Sequence, residues 1–194
     1  MYVVALTSDK AGTQGARPAC PIDSNAVIEL LRVRPELRLD GNRPTPGELA
    51  DRLSALWLGD ESIVYIGLAG TSVQARVSAY YRTSLGARSP HAGGWPLKTL
   101  SVLPSLWVHY AACVDPDAAE QRMLDSFMGG VSHVARSTLQ DPELPIPFAN
   151  LEKAKGQAKR HGIRGARAPR KHGAAKALGA NHHGQHVEPA QVIA

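Results

Sequence analysis

The sequence is poor in cysteine and has no long apolar run. Its two cysteines, Cys20 and Cys113, are far apart, and neither has a second cysteine or a histidine at metal-ligand spacing. This excludes a disulfide framework and a zinc motif, and it predicts free thiols in a reducing compartment. No apolar run approaches the roughly 18 residues of a membrane span, and no basic segment precedes an apolar one at the N-terminus. We therefore expect a soluble, cytoplasmic protein.

Acidic residues are scarce at the C-terminal end. Residues 1–150 contain 13 Lys and Arg against 15 Asp and Glu, whereas residues 151–194 contain 9 against 2. The net charge of +5 therefore comes from the C-terminal part. From Gly162 onward too few apolar side chains remain to form a core. The composition predicts a domain over residues 1–150 and a basic tail over residues 151–194, helical at its start and disordered from Gly162.

A basic tail on a near-neutral domain favours nucleic acid as the partner, with an acidic surface or simple solubility as alternatives. The basic residues of this tail are the candidates for nucleic-acid binding, and they are Lys153, Lys155, Lys159, Arg160, Arg164, Arg167, Arg170 and Lys171.

Two amphipathic helices are predicted before residue 60. The first covers residues 23–33, where apolar residues share one face. The second begins at Thr45, because Glu48 completes a capping box and Pro46 suits the first helical position. No catalytic combination of residues is visible in residues 8–60. We interpret this segment as an ordered helical insertion between the first two strands.

A strand, a tight turn and a helix follow one another after Glu61. Residues 62–66 are rich in β-branched side chains and end at glycine, which is typical of a buried strand. A helix start is predicted at Thr71, because Gln74 lies three residues later, at capping-box spacing. On this helix Arg76 lies one turn before Tyr80. A tyrosine on the strand and an arginine on the next helix thus face one concavity, and a guanidinium binds phosphate oxygens with its planar fork.

The motif Val64-Tyr65-Ile66-Gly67, together with Arg76 and Tyr80, resembles the GIY-YIG nuclease family. The interval from Tyr65 to Arg76 is one residue longer than in the commonest members, and Leu68 stands where a lysine is often found. The resemblance covers residues 62–128 well.

The resemblance implies further site residues outside this motif. Tyr2, in a β-rich run over residues 2–7, takes the place of the first-motif tyrosine, with an ordinary edge-strand tyrosine as the alternative. His91 lies in a glycine-rich loop where several members carry a functional histidine, and a solvated loop histidine is the alternative. Asn150 resembles the late asparagine of the family, and it also suits a helix cap. The implied catalytic residues are Tyr2, Tyr65, Arg76, Tyr80 and His91, with Asn150 as active-site support.

Glu120 is the candidate metal ligand. Asp115-Pro116 is typical of a helix start, and Glu120 falls in the middle of the apolar arc of that helix. A carboxylate at such a position needs a partner cation or a bound metal. The family has a metal-binding glutamate on the helix after its third strand. Asp125 faces away and fits only under a different alignment, and a salt bridge from Glu120 to Arg76 or Arg122 is the structural alternative.

These observations predict an α/β or α+β fold with a small mixed sheet of about three strands, flanked by helices and similar to the GIY-YIG fold. Tyr2, Tyr65 and His109 would lie on successive strands, and we interpret His109 as a half-buried histidine with a satisfied ring. The resemblance implies a DNA endonuclease, a hydrolase of phosphodiester bonds that uses one divalent cation, Mg²⁺. Two alternatives are a catalytically inactive nucleic-acid-binding module on the same fold and a globular domain with a basic protein-interaction tail.

Overall fold

A three-stranded sheet lies at the centre of the protein. The computed structural model describes residues 1–9, 15–70, 72–91, 93–154 and 156–169. The strands found there are β1 (Tyr2–Ala5), β2 (Arg38–Leu39), β3 (Ile63–Gly67), β4 (Trp107–Tyr110), β5 (Glu152–Ala154), β6 (Gln157–Ala158) and β7 (Ile163–Arg164). The central sheet has the order β3-β1-β4, and both pairings are antiparallel. The fold is therefore α+β. The prediction of a mixed sheet is wrong, because the central strand β1 runs antiparallel to both of its neighbours, β3 and β4.

The helices begin at side-chain caps that the sequence largely predicts. They are α1 (Ser24–Val33), α2 (Pro46–Ser54), α3 (Val73–Arg82), α4 (Pro116–Gly130) and α5 (His133–Ser137), with 3₁₀ turns over Trp95–Thr99 and Leu103–Ser105. The capping box of Thr45 and Glu48 is confirmed, as is the Asp115 cap of α4. The predicted start of α3 is wrong by one residue. Ser72 is its cap and accepts from the Ala75 N–H at 3.2 Å, while Thr71 lies outside the described residues.

Helices cover both faces of the sheet. One face carries Tyr2, Val4 and Tyr65, and it shares a core with α1, α2 and the apolar side of α3. On the other face, Ile66 packs with Leu124 and Phe127 of α4 in a second cluster. The α4 helix therefore lies with one side against the sheet, and its first turns reach the sheet end where Tyr2 is located.

His109 is satisfied within the domain. On β4 its Nε2 lies 2.9 Å from the Thr7 carbonyl oxygen. Since a carbonyl only accepts, the ring donates from Nε2. This confirms the interpretation of His109 as a half-buried, satisfied histidine.

The chain continues to pack on the domain after residue 150. Strands β5 and β6 form a hairpin around Gly156, whose φ of 85° suits glycine, and β7 pairs with β2. Ile163 and Ala166 are buried in the same core as α1 and α2. The predicted helix after Asn150 and the predicted disorder from Gly162 are therefore wrong for residues 151–169, because these apolar side chains find a place in the core. Residues 170–194 lie outside the described residues.

No helix in the described part of the chain combines the length and the apolar character needed to cross a membrane.

Candidate active site

Two tyrosines on neighbouring strands form the base of the site. Tyr2 lies opposite Gly67, and Val4 lies opposite Tyr65, so both phenols are on the same face of the sheet. Their ring centroids are 5.9 Å apart, and the two side chains are hydrogen-bonded to each other. Burial raises the pKa of both phenols, while the positive charge of Arg76 acts to lower it. Both hydroxyls are therefore protonated at neutral pH and can donate hydrogen bonds.

Gly67 makes room for this pair. A Cβ at Gly67 would lie 2.6 Å from Cε1 of Tyr65 and 3.1 Å from the hydroxyl oxygen of Tyr2. The first distance is shorter than real carbon contacts and the second is tighter than most of them, so a side chain here would require the Tyr65 ring to shift. The glycine that ends the strand is thus favoured by the packing of the two tyrosines.

Arg76 holds the ring of His91 in a defined orientation. Nη1 of Arg76 lies 3.2 Å from Nδ1 of His91. Arginine can only donate, so Nδ1 accepts and the proton of the neutral ring is on Nε2. Burial, followed by the charges of Arg76 and Lys98, lowers the pKa of His91, which keeps the ring neutral. Nε2 is buried and has no hydrogen-bond partner in the described structure, so its N–H donor is unsatisfied there.

The turn at Gly93 and Gly94 brings His91 close to Tyr65. A Cβ at Gly93 would lie 3.1 Å from Nε2 of His91 and 3.5 Å from the Tyr65 hydroxyl oxygen. The imidazole and the phenol hydroxyl therefore both lie next to Gly93. The His91 N–H donates to Oγ1 of Thr83 at 2.8 Å, which ties the loop to the end of α3. Sequence reasoning missed Thr83, because nothing in its local pattern indicates this contact.

Tyr80 lies beneath the site as part of the core. It is 8% exposed, and its hydroxyl donates to the Gly94 carbonyl at 3.2 Å. Its ring centroid lies 6.2 Å from that of His91, and Nζ of Lys98 lies 4.6 Å from the centroid of the Tyr80 ring. Burial raises the pKa of Tyr80. Tyr80 therefore supports the loop that carries His91. Sequence reasoning also missed Lys98, which donates to the carbonyls of Tyr80 and Thr83.

Glu120 reaches the tyrosines from the first turns of α4. Its negative charge adds to the burial that raises the pKa of Tyr2 and Tyr65. Burial, and then the charge of Asp117, raise the pKa of Glu120, while the charge of Arg76 acts to lower it. Within the described ranges Glu120 makes no ion pair, so the predicted salt bridge to Arg76 or Arg122 is absent there.

Asp125 faces away from the tyrosines. Its Oδ1 lies 2.5 Å from Nζ of Lys153, in an ion pair on the outside of α4. Glu120, and not Asp125, is therefore the carboxylate beside the phenols.

The surroundings of Glu120 suit a cation that takes some of its ligands from the protein and the others from water and a substrate. The described residues contain no group of three or more His, Cys, Asp or Glu side chains able to surround a metal. Mg²⁺ usually keeps several waters and is held by one or two carboxylates together with substrate phosphates. A single half-buried carboxylate near an arginine that has no carboxylate partner in the described structure fits that mode of binding.

Asn150 fixes the outer edge of β3. Its Oδ1 accepts from the Ile66 N–H, and its Nδ2 donates to the Ile66 carbonyl, both at 2.8 Å. The side chain is 6% exposed. The alternative role as a helix cap is wrong, because a strand follows at β5. Asn150 instead holds the residue between Tyr65 and Gly67, so it positions the site without touching it.

Several predicted nucleic-acid-binding residues are occupied by contacts within the domain. Nζ of Lys159 is buried and donates to the carbonyls of Pro147 at 2.8 Å and Phe148 at 3.4 Å, so the prediction that Lys159 contacts DNA is wrong. Burial lowers the pKa of Lys159 to about 7. Arg160 binds Asp141 with an N–O distance of 2.9 Å, and Lys153 binds Asp125.

The remaining candidates are on the surface or beyond the described ranges. Arg164 and Arg167 are exposed, while Lys155, Arg170 and Lys171 lie outside the described residues. The structure therefore does not place the predicted basic residues on one surface with the tyrosines.

The chain matches no protein-family model, no curated protein and no solved structure.

Proposed function

We propose that this protein is a metal-dependent endonuclease that hydrolyses phosphodiester bonds in DNA. The observation that supports the proposal is the convergence of Tyr2, Tyr65, Arg76, His91 and Glu120, which come from two strands, two helices and a loop. These are residues that the resemblance to GIY-YIG nucleases implies. We call these five residues the candidate active site.

Arg76 would bind and neutralise the scissile phosphate. It makes no ion pair with a carboxylate in the described structure, and only Nη1 is engaged with His91. The rest of its planar fork is available for bidentate contact with phosphoryl oxygens. The Nε2–H of His91 would add a second donor. Charge that develops on phosphate oxygens in the transition state would then meet donors already in place.

Glu120 would hold the divalent cation. When bound, Mg²⁺ supplies positive charge that stabilises the leaving oxygen. The carboxylate is half-buried beside two phenols, where removing its charge should alter cation binding without altering the shape of the site.

The tyrosines would orient the attacking water. Because burial raises the pKa of Tyr2 and Tyr65, each phenol acts first as a hydrogen-bond donor. A tyrosine could take a proton from the attacking water only in its ionised form, and the positive charge of Arg76, which acts against the effect of burial, would favour that form. An ionised tyrosine or a metal-organised water would serve as the general base.

Nicking of supercoiled plasmid by the purified protein tests this function. We expect nicking with Mg²⁺ and none with EDTA. Tyr65→Phe should reduce the rate, whereas Tyr81→Phe, at an exposed position on the same helix as Arg76, should not. Cleavage that ignores EDTA would refute the metal mechanism, and no cleavage of any DNA form would refute the endonuclease.

One observation favours a second candidate, a nucleic-acid-binding module without catalysis. The side chains of Tyr2 and Tyr65 are hydrogen-bonded to each other and burial raises the pKa of both phenols, which suits binding better than proton transfer. DNA binding that requires Arg76, together with no cleavage under any metal condition, would support this module.

A further inference from the structure

The outer edge of β4 presents backbone groups that the domain does not use. Ala111 N–H donates to the Met1 carbonyl at 3.2 Å, and the Met1 amino group donates to the Ala111 carbonyl at 2.9 Å. Backbone groups alternate in direction along an antiparallel strand, so those of Ala111, His109 and Trp107 face β1. The N–H and C=O groups of Val108 and Tyr110 therefore point outward, away from the sheet.

The opposite edge of the sheet is closed. Ala149 N–H donates to the Val64 carbonyl at 2.9 Å, and the Asn150 side chain takes both backbone groups of Ile66. Only the β4 side of this sheet thus offers a free row of donors and acceptors within the described chain. Natural edge strands are usually protected by charges, proline or bulges, because a free edge pairs with another chain.

At the two ends of β4, Trp107 and Tyr110 are exposed and uncharged, while Val108 and His109 between them are half-buried. Trp107 is 53% exposed and Tyr110 is 75% exposed, and Val114 is fully exposed. Residues 99–114 contain no Lys, Arg, Asp or Glu. Val108 and Tyr110 line two open grooves, of about 690 Å³ and 980 Å³, that flank the strand. The edge therefore lacks the usual protection and offers space for side chains from a partner.

We propose that β4 pairs with β4 of a second copy of this chain, antiparallel and with the two-fold axis at His109. In this register Val108 of each copy lies opposite Tyr110 of the other, and the outward groups of these residues exchange hydrogen bonds. Trp107 lies opposite Ala111, whose methyl group leaves room for the indole. The same uncharged surface meets itself, so no like charges face each other across the pairing.

This pairing is independent of the proposed nuclease activity. Tyr110 lies opposite Tyr2 in the β1–β4 register, so the interface would be one strand away from the candidate active site. The rotation axis is normal to the sheet, and both copies of the site would lie on the same face of the joined sheet.

Sedimentation velocity of the full chain over a dilution series tests the dimer. We expect a mass of twice 20.7 kDa at micromolar concentration. Tyr110→Lys places an unpaired charge in the interface and should raise the dissociation constant at least about 100-fold. Val134→Lys is the matched control, because Val134 is also 75% exposed but lies on α5. Circular dichroism should show that both variants are folded.

A disulfide tests the register. In a Cys20→Ser, Cys113→Ser background, His109→Cys should cross-link two copies on oxidation, because facing residues of a non-hydrogen-bonded pair have Cα atoms about 4.5 Å apart. Trp107→Cys should not cross-link, since the two copies of residue 107 are far apart in this register. A wild-type monomer at every concentration, or a dimer that Tyr110→Lys leaves intact, would overturn the proposal.

Discussion

The candidate active site and the C-terminal segment, residues 151–169, use cations in opposite ways. In the C-terminal segment, Lys153 and Arg160 pair with carboxylates, and Lys159 is buried against backbone carbonyls. In the candidate active site, Arg76 contacts a neutral histidine ring. Within the described chain no carboxylate pairs with Arg76, and no cation pairs with Glu120.

The comparison teaches that a count of cations along the chain does not give the cations available to a ligand. The C-terminal segment is rich in basic residues, yet Lys153, Lys159 and Arg160 are engaged in contacts within the domain. Arg76 is a single cation in a near-neutral part of the sequence, and no carboxylate of the described chain neutralises its charge. The following predictions test this difference.

The largest expected effect distinguishes two arginines. Arg76→Ala should reduce DNA nicking by about 100-fold to 1000-fold, because a donor aimed at the transition state is lost, and it should leave the melting temperature nearly unchanged. Arg82→Ala, on the same helix, is the control for the loss of a cation. Arg160→Ala should keep nicking and lower the melting temperature, because buried Asp141 loses its partner. Equal loss of nicking in Arg76→Ala and Arg160→Ala would contradict the claim that Arg76 serves nicking and Arg160 serves stability.

Glu120→Gln should separate cleavage from DNA binding. The amide keeps the volume but cannot hold a divalent cation by its charge, so Mg²⁺-dependent nicking should fall by orders of magnitude. DNA binding, measured by fluorescence anisotropy, should persist or tighten, because a carboxylate near the phosphate is neutralised. A large fall in melting temperature without metal would instead show that Glu120 belongs to a structural ion pair.

Asn150→Ala should lower the free energy of unfolding by about 2–4 kcal/mol, since it leaves the buried N–H and C=O of Ile66 without partners. Urea denaturation measures this change. Asn25→Ala, at an exposed position in α1, is the control. If both variants have the same stability, Asn150 does not hold β3.

Lys159 should give the domain a pH-dependent stability. Folding lowers the pKa of its amine from 10.5 to about 7, so between these values the unfolded chain binds more protons than the folded one. The free energy of unfolding should therefore rise with pH in this window, by up to about 1.4 kcal/mol per unit, and stay constant below it. Lys159→Met should flatten this slope, whereas Lys153→Met should not. A wild-type curve parallel to that of Lys159→Met would contradict the prediction.

The smallest effect concerns the residues after Pro169. A chain that ends there lacks Arg170, Lys171 and Lys176. Each cation that contacts a phosphate contributes about 0.9 to the slope of log affinity against log salt concentration, so the slope should become shallower. An unchanged slope would assign the DNA contacts to residues before 170.

Local patterns predicted much of the candidate active site. A β-branched run ended by glycine and followed at once by an amphipathic helix is enough to place Tyr65 near Arg76. The helix geometry of α4 likewise indicated that Glu120 faces inward, because about 100° per residue fixes which residues share a face. In contrast, Tyr2 joins the site through strand pairing with residue 67. No local pattern encodes that contact, and only the family resemblance suggested it.

The C-terminal segment could not be predicted in the same way. Lys159 lies in a stretch of sequence that is typical of an exposed, solvated cation. Its burial depends on hydrogen bonds to the carbonyls of Pro147 and Phe148, which only the folded chain brings close to it. Ile163 and Ala166 are isolated apolar residues with no periodicity, so nothing near them indicates a core position. Tertiary contacts decide both cases.

The central position of β1 has a consequence for the rate at which the domain folds. Residues 2–5 leave the ribosome before their partners in β3 and β4. The outer edge of β3 receives its hydrogen-bond partner only when Asn150 has also been synthesised. Contacts of such long sequence separation require large loops to close first, and this slows folding. During synthesis the apolar β1 strand therefore waits unpaired, and we expect nascent chains that stop before residue 150 to depend on chaperones.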